Sequence, residues 1–389
     1  MNIVIVGGGF GGVKAALELS KQKENSITLI SERSYFQYYP ALYSTATGHD
    51  YKESWAPLSD IFNQHSNVKI IKDTIVKFDA SHRRVEGVSG AKYTYQELVL
   101  ALGSVTTYFG IEGLDVYSYG IKSEEEIRRL QQHIFTEMSD GTDDEANYVI
   151  IGAGPTGVEL AGALGEYVMT VRKHFGIRKR KLRISLIEAA PRVLPRLSEA
   201  SSKRALKRLK SLGVHVETNR KVEKQTVDSL YVNGKALATQ TVIWTSGVTN
   251  APFYKQNESE FTFNERSKVV VDQFMKAREH VYVIGDNAAT PFAGLAQTAL
   301  HDAIFVAKHL MGSKKTYSAQ LPPTVIPIGD KWALFEWKKM QFGGRMGAVL
   351  RRAADMIGYH DVLPMSWAIG AWRAGTKKSL LIPDNIETE

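Results

Sequence analysis

Two sets of three glycines carry the first chemistry that can be read from this chain. Gly7, Gly9 and Gly12 follow the apolar run Ile3–Val6, and Gly152, Gly154 and Gly157 follow Tyr148–Ile151. Both sets have GxGxxG spacing, set between a β-branched strand pattern and a helical pattern. In that context the first glycine makes a tight turn and the second lets the backbone approach a pyrophosphate. The third lets helix and strand pack closely, with the helix N-terminus facing the phosphates. Each set is followed by a strand ending in a carboxylate that could accept from a ribose hydroxyl: Glu32, with Arg33 beside it, and Glu188. Glu159, two residues past Gly157, adds an acid in the first turn of the second helix. It reads as a group that positions a bound ring or passes protons, or as a plain helix-terminus charge.

The elements around these residues supply further candidates. Glu97–Leu100 reads as a buried strand meeting the small-residue turn Ala101-Leu102-Gly103-Ser104, at the carboxyl end of a strand where open α/β sheets bind ligands. The strand pattern His280–Ile284 ends in Gly285-Asp286; Asp286 is either a turn residue or a contact to a flavin's ribityl chain. The helical spacing from Thr298 to Leu310 follows Ala296-Gln297, so that helix would point its N-terminus at a flavin ring and stabilise the anionic reduced form. Residues 34–63 are aromatic-rich and broken by Pro40, a loop that could cover a ring system. Residues 68–95 read as an antiparallel excursion, and Ser123 with Glu126 as the capping box of a helix. Asp140–Glu145 reads as an acidic connector and Arg178–Lys181 as a solvated basic loop. Two fingerprints imply two dinucleotide sites, and the pairing they suggest is a flavin held permanently in one and a nicotinamide cofactor visiting the other. Glu188 favours NAD over NADP, although Arg192 lies nearby.

Composition narrows the chemistry. A chain of 389 residues has room for two or three domains. It has no cysteine, which removes disulfides, thiolate metal sites and redox Cys pairs, and no metal site is predicted. No apolar run is long enough to span a membrane, and the first strand begins at residue 3, which predicts no signal peptide. The net charge is +8. Residues 331–383 hold nine Lys or Arg against three acids, with four of the six Trp. Met346, Val349, Leu350, Ala353, Met356 and Ile357 repeat there at helical spacing beside Arg345, Arg351 and Arg352. Basic, Trp-bearing amphipathic segments suit an anionic membrane surface; a homodimer interface is the alternative. Nothing resembles a nucleic-acid recognition fold.

The combination resembles the two-dinucleotide-binding-domain flavoproteins and, more narrowly, the type II NADH:quinone oxidoreductases. The resemblance covers essentially the whole chain. It rests on Gly7/Gly9/Gly12 with Glu32, Tyr39–Tyr43, Ala101–Gly103, Gly152–Glu159, Ile187–Ala189 and Val283–Asp286. It implies a peripheral, monotopic enzyme on the cytoplasmic face of the membrane, passing electrons from NADH through FAD to a quinone without pumping ions. It also implies that Ala296-Gln297-Thr298-Ala299-Leu300-His301 lies beside quinone and flavin. There Ala296 and Gln297 match the family's Ala-Gln-x-Ala-x-Gln stretch, and His301 replaces its second Gln. An imidazole at that position can still hydrogen-bond and carry a proton. Sulfide:quinone oxidoreductases and disulfide reductases need cysteines and are excluded. A soluble NAD(P)H reductase feeding a ferredoxin, or a redox-sensing NADH-binding flavoprotein, remains as a competing reading.

The expected fold is α/β: two Rossmann-like dinucleotide-binding domains of the three-layer ββα type plus a C-terminal membrane-docking segment. Residues 1–115 and 250–330 are assigned to a discontinuous FAD-binding domain and 116–249 to an NAD-binding domain. Residues 331–389 are assigned to the docking or dimer segment.

Overall fold

The computed structural model describes residues 1–139, 145–176, 181–239 and 241–378. The connector Asp140–Glu145, apart from the backbone of Glu145, and the basic run Arg178–Lys181, apart from Lys181, lie outside the described residues, as does 379–389.

Two parallel sheets organise the molecule. The first runs in the order Lys276–Arg278, Val281–Val283, Glu97–Leu100, Asn2–Val6, Ser26–Ser31, Val68–Lys72, parallel except at its Lys276–Arg278 edge. Its register aligns Val6 with both Ile30 and Leu100, and Leu100 with Val283. The strands therefore end together, and Gly7, Ala101 and Gly285 emerge side by side at the carboxyl edge. The second sheet runs Val214–Glu217, Lys181–Ile187, Glu145–Ile151, Thr241–Trp244, all parallel. Ser104–Thr106 and Val248–Asn250 pair antiparallel, so the two crossings between the sheets run together.

Strand periodicity sorts the layers of the second half. Along Glu145–Ile151, Tyr148 and Ile150 pack with Leu160 and Leu164 of the helix Pro155–His174. The alternate residues Val149 and Ile151 pack with Val222, Leu230 and Trp244, under the antiparallel ladder Val222–Gln225, Ser229–Val232, Lys235–Ala238. A period of two thus builds a sheet with helices on one face and a second sheet on the other. The first half repeats the plan: helix α1 (Phe10–Leu19) and the ladder Ile75–Asp79, Arg84–Gly87, Lys92–Thr94 flank its sheet. One expectation needs correction here. Val68–Lys72 is a parallel edge strand of the main sheet, and the antiparallel excursion begins only at Ile75. A short half-exposed edge strand carries the same alternation as an antiparallel one.

Four further helices matter for the site: α2 (Pro155–His174), α3 (Ala296–Leu310), α4 (Arg345–His360) and α5 (Met365–Ala374). Pro155 opens α2 where no N–H partner is needed. Ser123 caps its helix as expected, accepting from the Glu126 N–H at 3.1 Å, while the Glu126 carboxylate takes the Lys122 N–H. The C-terminal ladder Thr324–Pro327, Ala333–Trp337, Met340–Gly344 lies against α2, and α4 and α5 follow it. The contact with α2 is backbone on backbone: a Cβ at Gly162 would lie 2.7 Å from the Gly329 nitrogen. Gly162→Ala is therefore expected to force the ladder off α2 and cost about 1–3 kcal/mol, read as a lower denaturation midpoint.

Candidate functional site

At the first glycine turn, Gly7 has φ +117°, and a Cβ there would lie 2.1 Å from the Ala101 carbonyl oxygen. A Cβ at Gly12 would lie 1.8 Å from the Gly7 oxygen, while one at Gly9 would meet nothing within 4 Å. No side chain caps the N-terminus of α1. The result is an open concavity lined by backbone and the positive end of a helix, which fits a pyrophosphate. Glu32, directly after its strand, has a side chain 62% exposed, and Arg33 lies 3.5 Å from it while donating to Gln37 at 2.8 Å. Asp286, in the short turn Gly285–Asn287, accepts from the Ser104 hydroxyl at 2.6 Å. The structure thus brings Ala101, Gly103, Ser104 and Asp286 to the edge where the glycines lie.

Asp302 holds that edge in place and was not legible in the sequence. It is fully buried and accepts from the Gly285 N–H (3.0 Å) and the Tyr317 hydroxyl (2.6 Å); burial raises its pKa against those hydrogen bonds. Its partners are distant in the chain, so no local pattern announces it. Gln297, in the first turn of α3 after Ala296, is exposed. His301, one turn on, has its Nε2 on the Ser318 carbonyl at 3.0 Å and its ring against Tyr317. The two residues lie on one helix face, but the imidazole is engaged by the segment after α3.

The second turn repeats the first. Gly152 has φ +102°, and a Cβ there would lie 2.0 Å from the Ser246 hydroxyl oxygen. A Cβ at Gly157 would lie 1.8 Å from the Gly152 oxygen, and Gly154 again faces open space. The N-terminus of α2 is also without a side-chain cap. Glu188 is oriented by two amides, Ala153 N–H at 2.6 Å and Ala190 N–H at 2.8 Å. Arg192 is bound within its own loop, to the Leu197 and Pro195 carbonyls at 2.7 Å and the Ser202 hydroxyl at 2.6 Å.

Glu159 turns towards the C-terminal helices. Arg351 of α4, only 13% exposed, donates to it at 3.3 Å. The same guanidinium binds Asp355 through Nε at 2.9 and 3.0 Å, the Pro40 carbonyl at 2.7 Å and the Val325 carbonyl at 3.2 Å. Burial pushes the Glu159 carboxyl up to about 7, with Arg351 pulling the other way. Burial works against the Arg351 charge as well, but Asp355, Tyr43 and Glu159 hold it well above its usual range. Arg351 and Asp355 also line a cavity of about 630 Å³ between the Pro40–Glu53 loop, the C-terminal ladder, α4 and α5. In the aromatic loop Tyr38 packs against Tyr359 and Phe10, its ring centroid 4.1 Å and 5.5 Å from theirs, while Tyr39 stays 46% exposed. Sequence reading counted Arg351 among surface charges. The signal against that was present: residues 351, 355 and 359 recur every fourth position, opposite the apolar stripe.

The turn geometry separates structural from ligand-facing glycines. Gly154→Ala is expected to change stability by less than ~0.5 kcal/mol and to weaken NADH binding about tenfold or more in a titration. Gly157→Ala is expected to cost about 1–3 kcal/mol of stability, because its Cβ meets backbone.

The sequence matches the family described as pyridine nucleotide-disulphide oxidoreductase over residues 1–303. The type II NADH:quinone oxidoreductase of Mycobacterium tuberculosis is 30% identical over 329 residues, covering 78% of this chain and 71% of that protein. The type II NADH:quinone oxidoreductase of Staphylococcus haemolyticus is 28% identical over 331 residues, covering 79% and 81%. Among solved structures, NDH2 of Plasmodium falciparum in complex with NADH aligns with a TM-score of 0.84 at 16% identity, over 98% of this chain and 99% of that one. The sulfide:quinone oxidoreductase of Aquifex aeolicus aligns with a TM-score of 0.79 at 18% identity, over 96% and 92%. At such identities the structural likeness speaks for the fold: α/β, with two Rossmann-like units. The chain belongs to the pyridine nucleotide-disulphide oxidoreductase family and, within it, to the type II NADH:quinone oxidoreductases.

Proposed function

We propose that this enzyme oxidises NADH and reduces a membrane quinone, with FAD resident at Gly7–Gly12 and no ion translocation. The observation that carries the reading is the pair of matching glycine turns, each with two glycines closed against backbone or side chain and one open to a ligand. Bound FAD supplies a two-electron store that takes hydride from NADH and later yields its electrons to the quinone. The chain's own part is to bind and orient. At the first turn Gly9 and the start of α1 receive the FAD pyrophosphate, Glu32 the ribose, and Asp286, steadied by Ser104, the ribityl chain. At the second, Gly154 and the start of α2 receive the NADH pyrophosphate, and Glu188 its ribose. Arg192 is engaged within its own loop and does not offset Glu188 against a 2′-phosphate, so NADH is the preferred donor over NADPH. The exposed Gln297 is the acceptor contact, with His301 behind it. Single-turnover kinetics test this: the NADH-reduced enzyme should be reoxidised rapidly by a short-chain quinone. Gln297→Ala should slow that step about tenfold while flavin reduction by NADH is unchanged. Failure of the wild type to be reoxidised by any quinone removes the assignment.

The membrane reading rests on α4. Its inward face carries Arg351, Asp355 and Tyr359, and its outward face Met346 (67% exposed), Val349, Leu350 and Ile357 (64% exposed). Met365 and Ile369 of α5 extend the apolar face, with Arg345 and Arg373 exposed beside it. No helix among the described residues is long and apolar enough to cross a membrane. The proposed arrangement is peripheral docking on the anionic cytoplasmic face, α4 and α5 lying in the interface. Each buried aliphatic side chain contributes roughly 1.5–3 kcal/mol. Met346→Glu combined with Ile357→Glu should therefore lower partition onto anionic vesicles more than about tenfold, with melting unchanged. Loss of a dimer in sedimentation, with vesicle binding intact, would assign the face to a second copy instead.

A further inference from the structure

One buried guanidinium, Arg351, faces three acids beside the α4 cavity, whose lining also carries Lys331, Arg345, Arg352 and Lys378. Glu159, Asp355 and Glu53 are all buried or nearly so. Arg351 serves the first two, with two contacts to Asp355 and one to Glu159. Glu53, which lines the cavity and is 3% exposed, has no cation within ion-pair distance among the described residues. Its carboxyl accepts from the Thr45 hydroxyl at 3.0 Å and is fixed through its backbone, whose carbonyl takes the Tyr359 hydroxyl at 2.8 Å. The next cation along α4, Arg352, is held on Trp372, donating to its carbonyl at 3.0 Å and lying 4.1 Å over its ring. Burial, with Asp355 adding to it, pushes the Glu53 carboxyl up to about 8, so it carries a proton at neutral pH. It is not sealed away from charge, however. A Cβ at Gly375 would lie 2.8 Å from Glu53 Oε2 and 3.5 Å from Arg352 Nη1, so only the missing side chain leaves both groups at the same small space. A carboxylate formed there would find a countercharge close by.

We propose that Glu53 is a proton donor into this cavity, loaded at rest and discharged when the acceptor is reduced. The proposal rests on the quinone reading above. NADH, quinone and one proton give NAD⁺ and quinol: hydride brings two electrons and one proton, and the second proton comes from outside the substrates. In the proposed step the Glu53 O–H bond breaks and an O–H bond forms on the reduced quinone, the proton passing through water in the cavity because Gln297, the acceptor contact, is not among its lining residues. The electron pair stays on the carboxylate, and a solvent proton entering by the cavity mouth restores the acid. Most groups facing Glu53 do not titrate in its place, and Glu159 titrates below it. Tyr43 and Tyr359 are pushed far up by burial, and Asp355 is tied to Arg351. His49, towards the mouth with Lys378, is lowered by burial, and Glu159 lies at about 7.

The test is reoxidation of the NADH-reduced holoenzyme by a short-chain quinone across neutral to alkaline pH, alongside thermal melting. The acid form is the donor, so the wild-type rate should fall as pH rises through about 8. Glu53→Gln should be about a hundredfold slower and lack that inflection. Ferricyanide, which takes electrons without protons, should not share the slowing. The folded state holds the Glu53 proton more tightly than the unfolded chain. Stability should therefore fall with pH between the ordinary 4.5 and about 8, and Glu53→Gln should lessen that slope, leaving the part that Glu159 contributes below about 7. Thr45→Val removes a hydrogen bond to the carboxylate and should move the rate inflection upward. A Glu53→Gln enzyme reoxidised at the wild-type rate with the wild-type pH profile overturns the donor role, even if the melting slope is lessened. If that variant does not fold, an unmoved inflection in Thr45→Val overturns it. If the wild type is reoxidised by no quinone at any pH, the acceptor assignment fails and the donor role with it.

Discussion

One guanidinium sets how the parts of this molecule meet. Arg351 reaches from α4 to Glu159 at the second glycine turn, to the Pro40 carbonyl in the aromatic loop of the first half, and to Val325 in the C-terminal ladder. Asp355, one turn along α4, fixes the remaining edge. Each contact belongs to a different layer, and only a planar fork with five N–H donors can reach all of them at once. Such a buried charge adds little net stability, but leaving its partners unmatched costs about 3–5 kcal/mol, so the arrangement is specified sharply. The nucleotide-facing helix and the outermost helix are thereby coupled through one side chain.

The same residue explains why α4 looks inside out. An amphipathic helix on a protein surface normally buries its apolar face. Here the inward face must supply the charge for Glu159, and the apolar residues are left outside. That surface is the one the peripheral docking proposed above would cover. Its backbone is pressed close to the ladder beneath, where a Cβ at Gly347 would lie 2.1 Å from the Ala333 carbonyl oxygen. The helix therefore cannot roll to hide the stripe.

Much of this was legible in the sequence, for physical reasons. The glycine turns, the strands before them and the helices after them are local: spacing alone determines which glycine meets backbone and which faces a ligand. The place of Asp286 was legible because it follows a strand pattern, and the structure sets it beside Ser104. Glu53, Asp302 and Arg351 were not, because what distinguishes them is burial and partners brought from far along the chain. Glu53 reads as one acid in a polar loop until Tyr359 and α5 close over it. Arg351 reads as one of nine basic charges until the helix is docked. His301 shows the converse. A motif position drew attention to it, yet its ring nitrogen is engaged by Ser318, whose carbonyl no sequence pattern marks.

The pairing of Glu97–Leu100 with Val281–Val283 carries a consequence for how the protein is made. The second sheet lies wholly between these two strands in the chain and has all its partners within its own stretch. During synthesis it can close while the first sheet still lacks the strand that leads into Asp286. The first half must wait, its strand Glu97–Leu100 paired on one side only, until nearly three quarters of the polypeptide has left the ribosome. The glycine turn that opens the chain is thus framed by its full sheet only late, and the pairing of Ser104–Thr106 with Val248–Asn250 holds the two ends of the gap together.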